Sequence, residues 1–339
     1  MEALRQSARA GRLILLACLL AAGTTRGQSQ PATATAPSTQ PTSAPARGSE
    51  NLKRAQELFM KGQYARASDQ ARTALADPSL GVGPSVLLAR AQAAEGKYAD
   101  ALASLEQSKG LAADQADWHL ARSEALTLVG RYDKALASAN RARQLAQAWA
   151  PAILAEGKLL ELVGRKKDAL AIYLTMERTI ADGAYRSDPR ALAALGRILE
   201  RLAVLAGRRA SQQAGNILDN YLKKAADEVD KTYWPAHVAA GEFLLGKHRA
   251  GEAAAYFQKA LQINGRIPEA LVGIGTIALE NWQFEACMQQ AERALKVNPV
   301  HAEALALKAS CLMQWRKFDQ VAPVLDKALG VNANDVHAL

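Results

Sequence analysis

The chain has 339 residues, a formal net charge of +9 and 49% hydrophobic content, of which little is aromatic. A composition so rich in Ala and poor in Trp and Phe excludes one deep aromatic core and suits helices packed through small side chains. Four arginines and one glutamate precede Gln28, which leaves about +6 on the rest, too mild and too poor in stacking aromatics for a nucleic-acid binder.

The N-terminus reads as a targeting segment. Arg5, Arg9 and Arg12 form a basic region, Leu13 to Ala22 is apolar, and Ala21 and Gly23 place small residues at −3 and −1 of a cleavage site. The ten apolar residues would span only about 15 Å as a helix, too little for a bilayer. Residues 1–27 are therefore expected to be a signal peptide, and the protein to be exported, periplasmic or secreted. Leu15-Leu16-Ala17-Cys18 loosely resembles a bacterial lipobox, so membrane attachment follows only if Cys18 is lipidated; otherwise the cysteine is lost with the leader. Residues 28–47 hold four prolines, much Thr, Ser and Ala, and the single charge of Arg47, a composition that predicts a disordered linker.

A repeat begins at residue 48. Gly62, Gly96, Gly130 and Gly164 recur every 34 residues, and Ala260, Ala294 and Ala328 keep that period. Such a period marks a two-helix unit that stacks into a solenoid. With each glycine at position 15, units begin at 48, 82, 116 and 150, and resume at 234, 268 and 302. Position 8 is small in nearly every unit (Ala55, Ala89, Ser123, Gly157, Gly196, Gly241, Gly275, Ala309), and positions 20 and 27 are mostly Ala. Small residues at a helix crossing let the axes approach the lower end of the usual ~8–10 Å. Glycine at position 15 is expected to end each first helix with positive φ. The aromatics at position 17 (Tyr64, Tyr98, Tyr132, Phe284, Phe318) are expected to fold back over their own helix pair.

The fifth unit, residues 189–233, is 11 residues longer than the others, close to three helical turns. Two long α-helices, 189–206 and 211–229, are expected there, the first started by Asp188 as N-cap and Pro189 at the first position. Asp335 reads as the N-cap of a ninth unit that is cut off after Leu339, so a longer natural chain is expected.

Small residues at positions 8, 20 and 27, aromatics at 17, Pro299 at position 32 and the stretches GKYADALASL, GRYDKALASA and AERALKVNPVHAEAL resemble the tetratricopeptide repeat (TPR), over residues 48–339. Departures are polar residues at position 7 (Arg54, Arg122, Glu156, Lys308) and Lys166, Ala250, Trp282 and Arg316 at the turns. The resemblance implies an all-α, right-handed superhelical solenoid of about eight units: units 1–4 over 48–188, an elongated hairpin over 189–233, and units 6–8 with the start of a ninth over 234–339. It also implies a concave groove lined by the first helices, with Gln56, Arg90, Glu124, Lys158, Arg197 and Glu242 at position 9, followed by Thr276 and Ser310. Their mixed signs suit a protein partner better than a polyanion.

Chemistry is sparse. His119, His237, His248, His301 and His337 form no metal-ligating pair and read as scattered surface residues; no catalytic constellation, phosphate loop or cofactor motif is present. Cys287 and Cys311 fall on helices expected to be neighbours, and two readings stay open: a disulfide, or two buried thiols. Cations gather at the inter-helix turns (Lys61, Lys97, Arg131, Arg165, Arg208, Arg209, Lys247, Arg316), where they complement helix dipoles or form a ridge that meets an anionic envelope surface. The expected function is a non-enzymatic scaffold for protein partners in the cell envelope. Two alternatives are the recognition arm of a larger exported enzyme, a hydrolase or peptidase with its catalytic domain beyond residue 339, and a module binding an anionic wall or lipid surface.

Overall fold

In a computed structural model of the chain, residues 44–180, 183–207 and 210–338 are described. The signal peptide, Cys18, linker residues 28–43, and Arg208 and Arg209 lie outside them. The described residues contain no strand and form an all-α solenoid of helix pairs. The first arm comprises α1 (Ala44–Met60) with α2 (Tyr64–Ala74), α3 (Gly83–Ala94) with α4 (Tyr98–Gln107), α5 (Ala116–Leu128) with α6 (Tyr132–Leu145), and α7 (Ala150–Leu162) with α8 (Lys166–Thr179). The long unit pairs α9 (Pro189–Leu205) with α10 (Ala210–Ile217), which continues as a π-helical segment, Leu218–Val229. The second arm comprises α11 (Trp234–Leu245) with α12 (Ala250–Ile263), α13 (Pro268–Glu280) with α14 (Phe284–Val297), and α15 (Ala302–Gln314) with α16 (Val321–Leu329).

Two boundaries differ from the sequence reading. Helix α1 starts at Ala44, so residues 44–47 of the expected linker are helical. The long second helix is not α-helical throughout: from Leu218 it widens to π winding, which still buries Leu218, Leu222, Ala225 and Ala226 against α9 and α11. The start of α9 is as expected, with Asp188 Oδ1 accepting from Arg190 N at 2.8 Å and Pro189 at the first position.

The small residues at position 8 are where large neighbours enter. The Tyr173 ring lies 2.1 Å from where a Cβ on Gly157 would stand, and Leu222 Cδ2 lies 2.5 Å from that of Gly196. Any larger side chain there pushes the two helices apart.

In the first three units the aromatics at position 17 do more than fold over their own pairs, as Tyr64 does on Leu58 and Phe59 and Tyr132 on the cluster of Leu126 and Ala135. They cross to the second arm, about 200 residues away. Asn264, Asn298 and Asn332, which follow α12, α14 and α16, donate Nδ2 hydrogen bonds to the hydroxyls of Tyr64, Tyr98 and Tyr132 at 3.0, 2.9 and 3.0 Å. Each Asn Oδ1 accepts a backbone N–H two residues on, from Arg266, Val300 and Asn334. The Tyr64 and Tyr132 hydroxyls donate onward to the carbonyls of Arg266 and Asn334. The three Asn side chains are buried and satisfied. Burial pushes the Tyr64 hydroxyl up to about 12, so it stays a donor at physiological pH. Both arms share one period, so one rung in register puts all three in register.

This seam explains a difference between the arms. Gly62, Gly96 and Gly130 have φ of 72°, 77° and 69°, and Asn Oδ1 sits 2.0–2.4 Å from where their Cβ atoms would be. In the second arm the same position is His248, Trp282 and Arg316, all at positive φ without glycine, contrary to the expectation from position 15. The left-handed conformation alone costs a non-glycine residue about 1–2 kcal/mol, which a solenoid tolerates; a side chain where the Asn must sit is not tolerated.

A disulfide joins Cys287 of α14 to Cys311 of α15, and both cysteines are fully buried. It ties two neighbouring units across a separation of 24 residues, a loop whose closure is worth about 3 kcal/mol.

Gly164 also has positive φ, yet no atom lies within 4 Å of its added Cβ. Gly164→Ala should therefore cost only the backbone term, about 1 kcal/mol. Gly96→Ala must also expel Asn298 and should cost about 2 kcal/mol more in a urea melt. Equal losses for the two variants would mean that the seam does not form.

Candidate functional site: the face lined by the first helices

Position 9 lies on the first helix of every unit, so a regular stack carries these side chains along one face. Lys158, Arg197, Glu242, Thr276 and Ser310, from α7, α9, α11, α13 and α15, line one cavity of about 490 Å³ together with Glu269 and Glu303. Arg90 and Glu124 form a separate cluster on α3 and α5, and Gln56 is exposed on α1. A smaller cavity of about 330 Å³ opens at the seam, between Tyr98, Tyr132, His301, Glu303 and Asn332.

The alternating charges mostly neutralise one another. Arg90 makes a bidentate pair with Asp117, at 2.9 and 3.1 Å, and reaches Glu124 at 3.4 Å. Arg190 adds a second guanidinium to Asp117 at 3.2 Å, tying α9 to α5. Burial raises the Asp117 carboxyl, but Arg90 and then Arg190 outweigh it and hold it below the usual range. Arg197 is paired with Glu242, and Arg201 with Glu161. The mixed signs read from the sequence as a surface for a partner are thus largely ties between units.

Lys158 differs. It is open to solvent through the cavity, is ringed by protein, and makes no ion pair or hydrogen bond among the described residues. Arg197 repels it, and desolvation adds to that; Glu303 opposes the shift, and its pKa falls to about 7.

Four further charges of this face were missed in the sequence: Asp117, Arg190, Glu269 and Glu303. All four occupy position 2 of their units, so the period that gave position 9 carried them too. Glu269 lies 4.0 Å from His301, and Glu303 lies 3.3 Å from His337. The histidines are not all on the surface: His237 is buried, with Nε2 3.0 Å from the Lys231 carbonyl. The turn cations Lys61, Lys97 and Arg131 are exposed beside the glycines that meet the second arm. Several of the turn cations have local partners, such as Lys97 with Glu95, Arg165 with Asp168 and Lys247 with Glu200. Among the described residues no cluster of three metal-ligating side chains forms, and no helix is long and apolar enough to cross a membrane.

No protein-family model matches the chain, and no curated protein is significantly similar to it in sequence. Among solved structures it is similar to a tetratricopeptide repeat protein from Parabacteroides merdae, at 15% identity and a TM-score of 0.45, over 79% of this chain and 99% of that one. It is similar to the APC/C hetero-tetramer Cut9–Hcn1 at 14% identity and a TM-score of 0.49, over 85% of this chain and 54% of that one. A thermophilic TPR protein of Thermus thermophilus aligns at 22% identity and a TM-score of 0.47, over 58% of this chain and 99% of that one. All three TM-scores lie below 0.5, so what this chain binds has to be read from its own geometry.

The depressed Lys158 pKa fixes a sign. The unfolded chain holds this proton up to its ordinary value near 10.5, the folded chain only to about 7. Carrying the charge therefore destabilises the fold, most fully below about pH 7 and progressively less as pH rises to about 10.5. Lys158→Met should raise the melting temperature at neutral pH, and its advantage over the natural chain should shrink as pH rises. An advantage that stays constant over that range would show that the ammonium is ordinarily solvated.

Proposed function

We propose that this chain is a tetratricopeptide-repeat scaffold that holds an extended stretch of a partner polypeptide against the face of its first helices. The observation that carries this is the convergence of five successive position-9 side chains on one cavity. Its volume of about 490 Å³ lies within the range of sites for small ligands, so it suits a short extended segment rather than a folded domain. Helical-repeat solenoids generally use such surfaces for binding. The polar lining of Lys158, Arg197, Glu242, Thr276 and Ser310 can hydrogen-bond a peptide backbone as well as its side chains. No nucleophile–base pair accompanies these residues in the cavity lining, which supports a binding role over a catalytic one. The Arg-rich start, apolar run and small residues of 1–27 support export, and we place the scaffold in a cell envelope or outside the cell on that pattern.

A photo-crosslinking amino acid in place of Thr276 tests this, with the same group in place of the exposed Trp282 as control. In extracts of its own cells, Thr276 should crosslink to polypeptide, and digestion should map each product to a single linear segment; Trp282 should not. Equal crosslinking at both positions, or none at Thr276, would overturn the reading.

A further inference from the structure

The seam cavity of about 330 Å³ differs in chemistry from the large one. Its described lining holds no lysine or arginine, but three carboxylates, Glu269, Glu303 and Asp335. His301 and His337 line it too; they carry charge only when protonated, and each then answers a glutamate, His301 beside Glu269 and His337 beside Glu303. Across the shared wall Arg197 is held by Glu242, and Lys158 lines only the large cavity. Asp335 is therefore left over whether the histidines are charged or not. Its Oδ1 accepts the backbone N–H of His337 at 2.9 Å, and it makes no ion pair among the described residues. The rest of the wall is mostly apolar: Leu128, Leu162, Val300, Val331 and Val336, of which Leu128, Leu162 and Val336 are exposed. Tyr98 lines the same space and is short of one partner. The Tyr64 and Tyr132 hydroxyls donate to the carbonyls of Arg266 and Asn334, whereas the buried Tyr98 accepts from Asn298 and donates to no described residue. Burial first, and then the charges of Glu269 and Asp335, push its hydroxyl up against the bond from Asn298.

Resting on the proposed polypeptide-binding role, we infer that the seam cavity seats a lysine or arginine side chain of the bound segment, with its stem on Leu128, Leu162 and Val336 and its charge answering Asp335. Long basic side chains bury their methylenes on apolar surface while the charged head reaches a polar rim, and this cavity offers both parts. A cation here meets its carboxylate where surrounding protein lowers the effective dielectric, so the attraction exceeds that at an open surface. The rings of Tyr98 and Tyr132 can add attraction through their faces. An acidic side chain would meet three like charges, and an aliphatic one would leave Asp335 unanswered. The free hydrogen of Tyr98 suits a carbonyl, which a peptide backbone brings and a simple amine lacks. Glu269, Glu303 and His337 border both cavities, so one segment can lie in the large cavity and reach this one.

The test uses blocked hexapeptides Gly-Ser-Leu-X-Ser-Gly, with X as Lys, Arg or norleucine, at millimolar concentration with the full chain. A water-soluble carbodiimide activates carboxylates near neutral pH; the Lys amine of the peptide attacks the activated carbonyl, an amide forms and the urea leaves. Digestion and mass spectrometry then compare coupling at Asp335 with coupling at the exposed Glu57. The Lys peptide should couple at Asp335 about tenfold faster than at Glu57. Excess Arg peptide, whose guanidinium does not form the amide, should suppress coupling at Asp335; the norleucine peptide and butylguanidinium at the same concentration should not. By fluorescence anisotropy, Asp335→Glu should keep the preference for Lys over norleucine and Asp335→Asn should lose it. Asn retains the Oδ1 that accepts from His337, so this variant removes the charge and keeps the turn. Equal coupling at Asp335 and Glu57, or suppression by the norleucine peptide, would overturn the seat. Suppression by butylguanidinium as strong as by the Arg peptide would overturn it in favour of a site for a free organic cation. Failure here with crosslinking retained at Thr276 removes the seat alone; loss of crosslinking at Thr276 removes the polypeptide reading itself.

Discussion

The hydrogen bond from a buried Asn to a Tyr hydroxyl, made three times across the seam, is the constraint on which the rest of this structure depends. In an ordinary solenoid each unit touches only its neighbours, and stability is a sum of local terms. Here Asn264, Asn298 and Asn332 tie the second arm to the first at 34-residue steps. A buried Asn left without partners costs about 1–3 kcal/mol, so a partly closed seam is penalised at each open rung. The rungs are carried on stiff helix pairs and share one register, which makes closure cooperative. Positive φ favours glycine at all of these positions, 62, 96 and 130 in the first arm and 248, 282 and 316 in the second, and this contact makes the demand stricter at the first three than at the others.

Much of the fold was legible because its causes are local and periodic. The 34-residue spacing, the small residues at crossings and the Asp188-Pro189 start each act within a few residues of where they are read. The seam was not legible, because its partners lie about 200 residues apart and each looks ordinary alone: Tyr after a turn, Asn after a helix. The polar residues at position 7 are similar. Against the family pattern they are departures, yet each of three pairs with a residue 16 earlier on the preceding second helix: Arg122 with Glu106, Glu156 with Asn140, and Lys308 with Glu292. Glu156 is buried and also receives Arg143, so its charge is answered within the stack. The π-helical turn after Leu218 has no sequence signal in hydrophobic spacing, since its buried positions fit an α-helix almost as well.

The candidate site was legible by position and not by charge. Of the six position-9 residues read as a partner face, Lys158, Arg197 and Glu242 meet the cavity while Gln56, Arg90 and Glu124 do not, and alternating sign along the series was read as an offer to a partner. The geometry shows why sign alone misleads. Successive first helices stand close enough for Arg90 to reach Glu124 and for Arg197 to reach Glu242, so neighbouring opposite charges satisfy each other first. Only a charge whose neighbours are already committed remains for a ligand, and that condition depends on residues at position 2 and on α9 that the series at position 9 does not include.

Closure and binding are coupled through shared residues. Glu303 borders both cavities, and His337 and Glu269 do the same, so the side chains that face Lys158 across the large cavity also flank the rungs of Tyr98 and Tyr132. A ligand that draws on Glu269 or Glu303 therefore acts on atoms beside the seam, and a rung that opens moves the wall opposite Lys158. The contacts between arms also have large sequence separation, so their loop-closure cost falls due before they reward it, and folding is slower than for an open stack of the same helices. The second arm carries most of the cavity lining, so what the seam fixes is the relation of that lining to the Asp117–Arg90 cluster on the first arm.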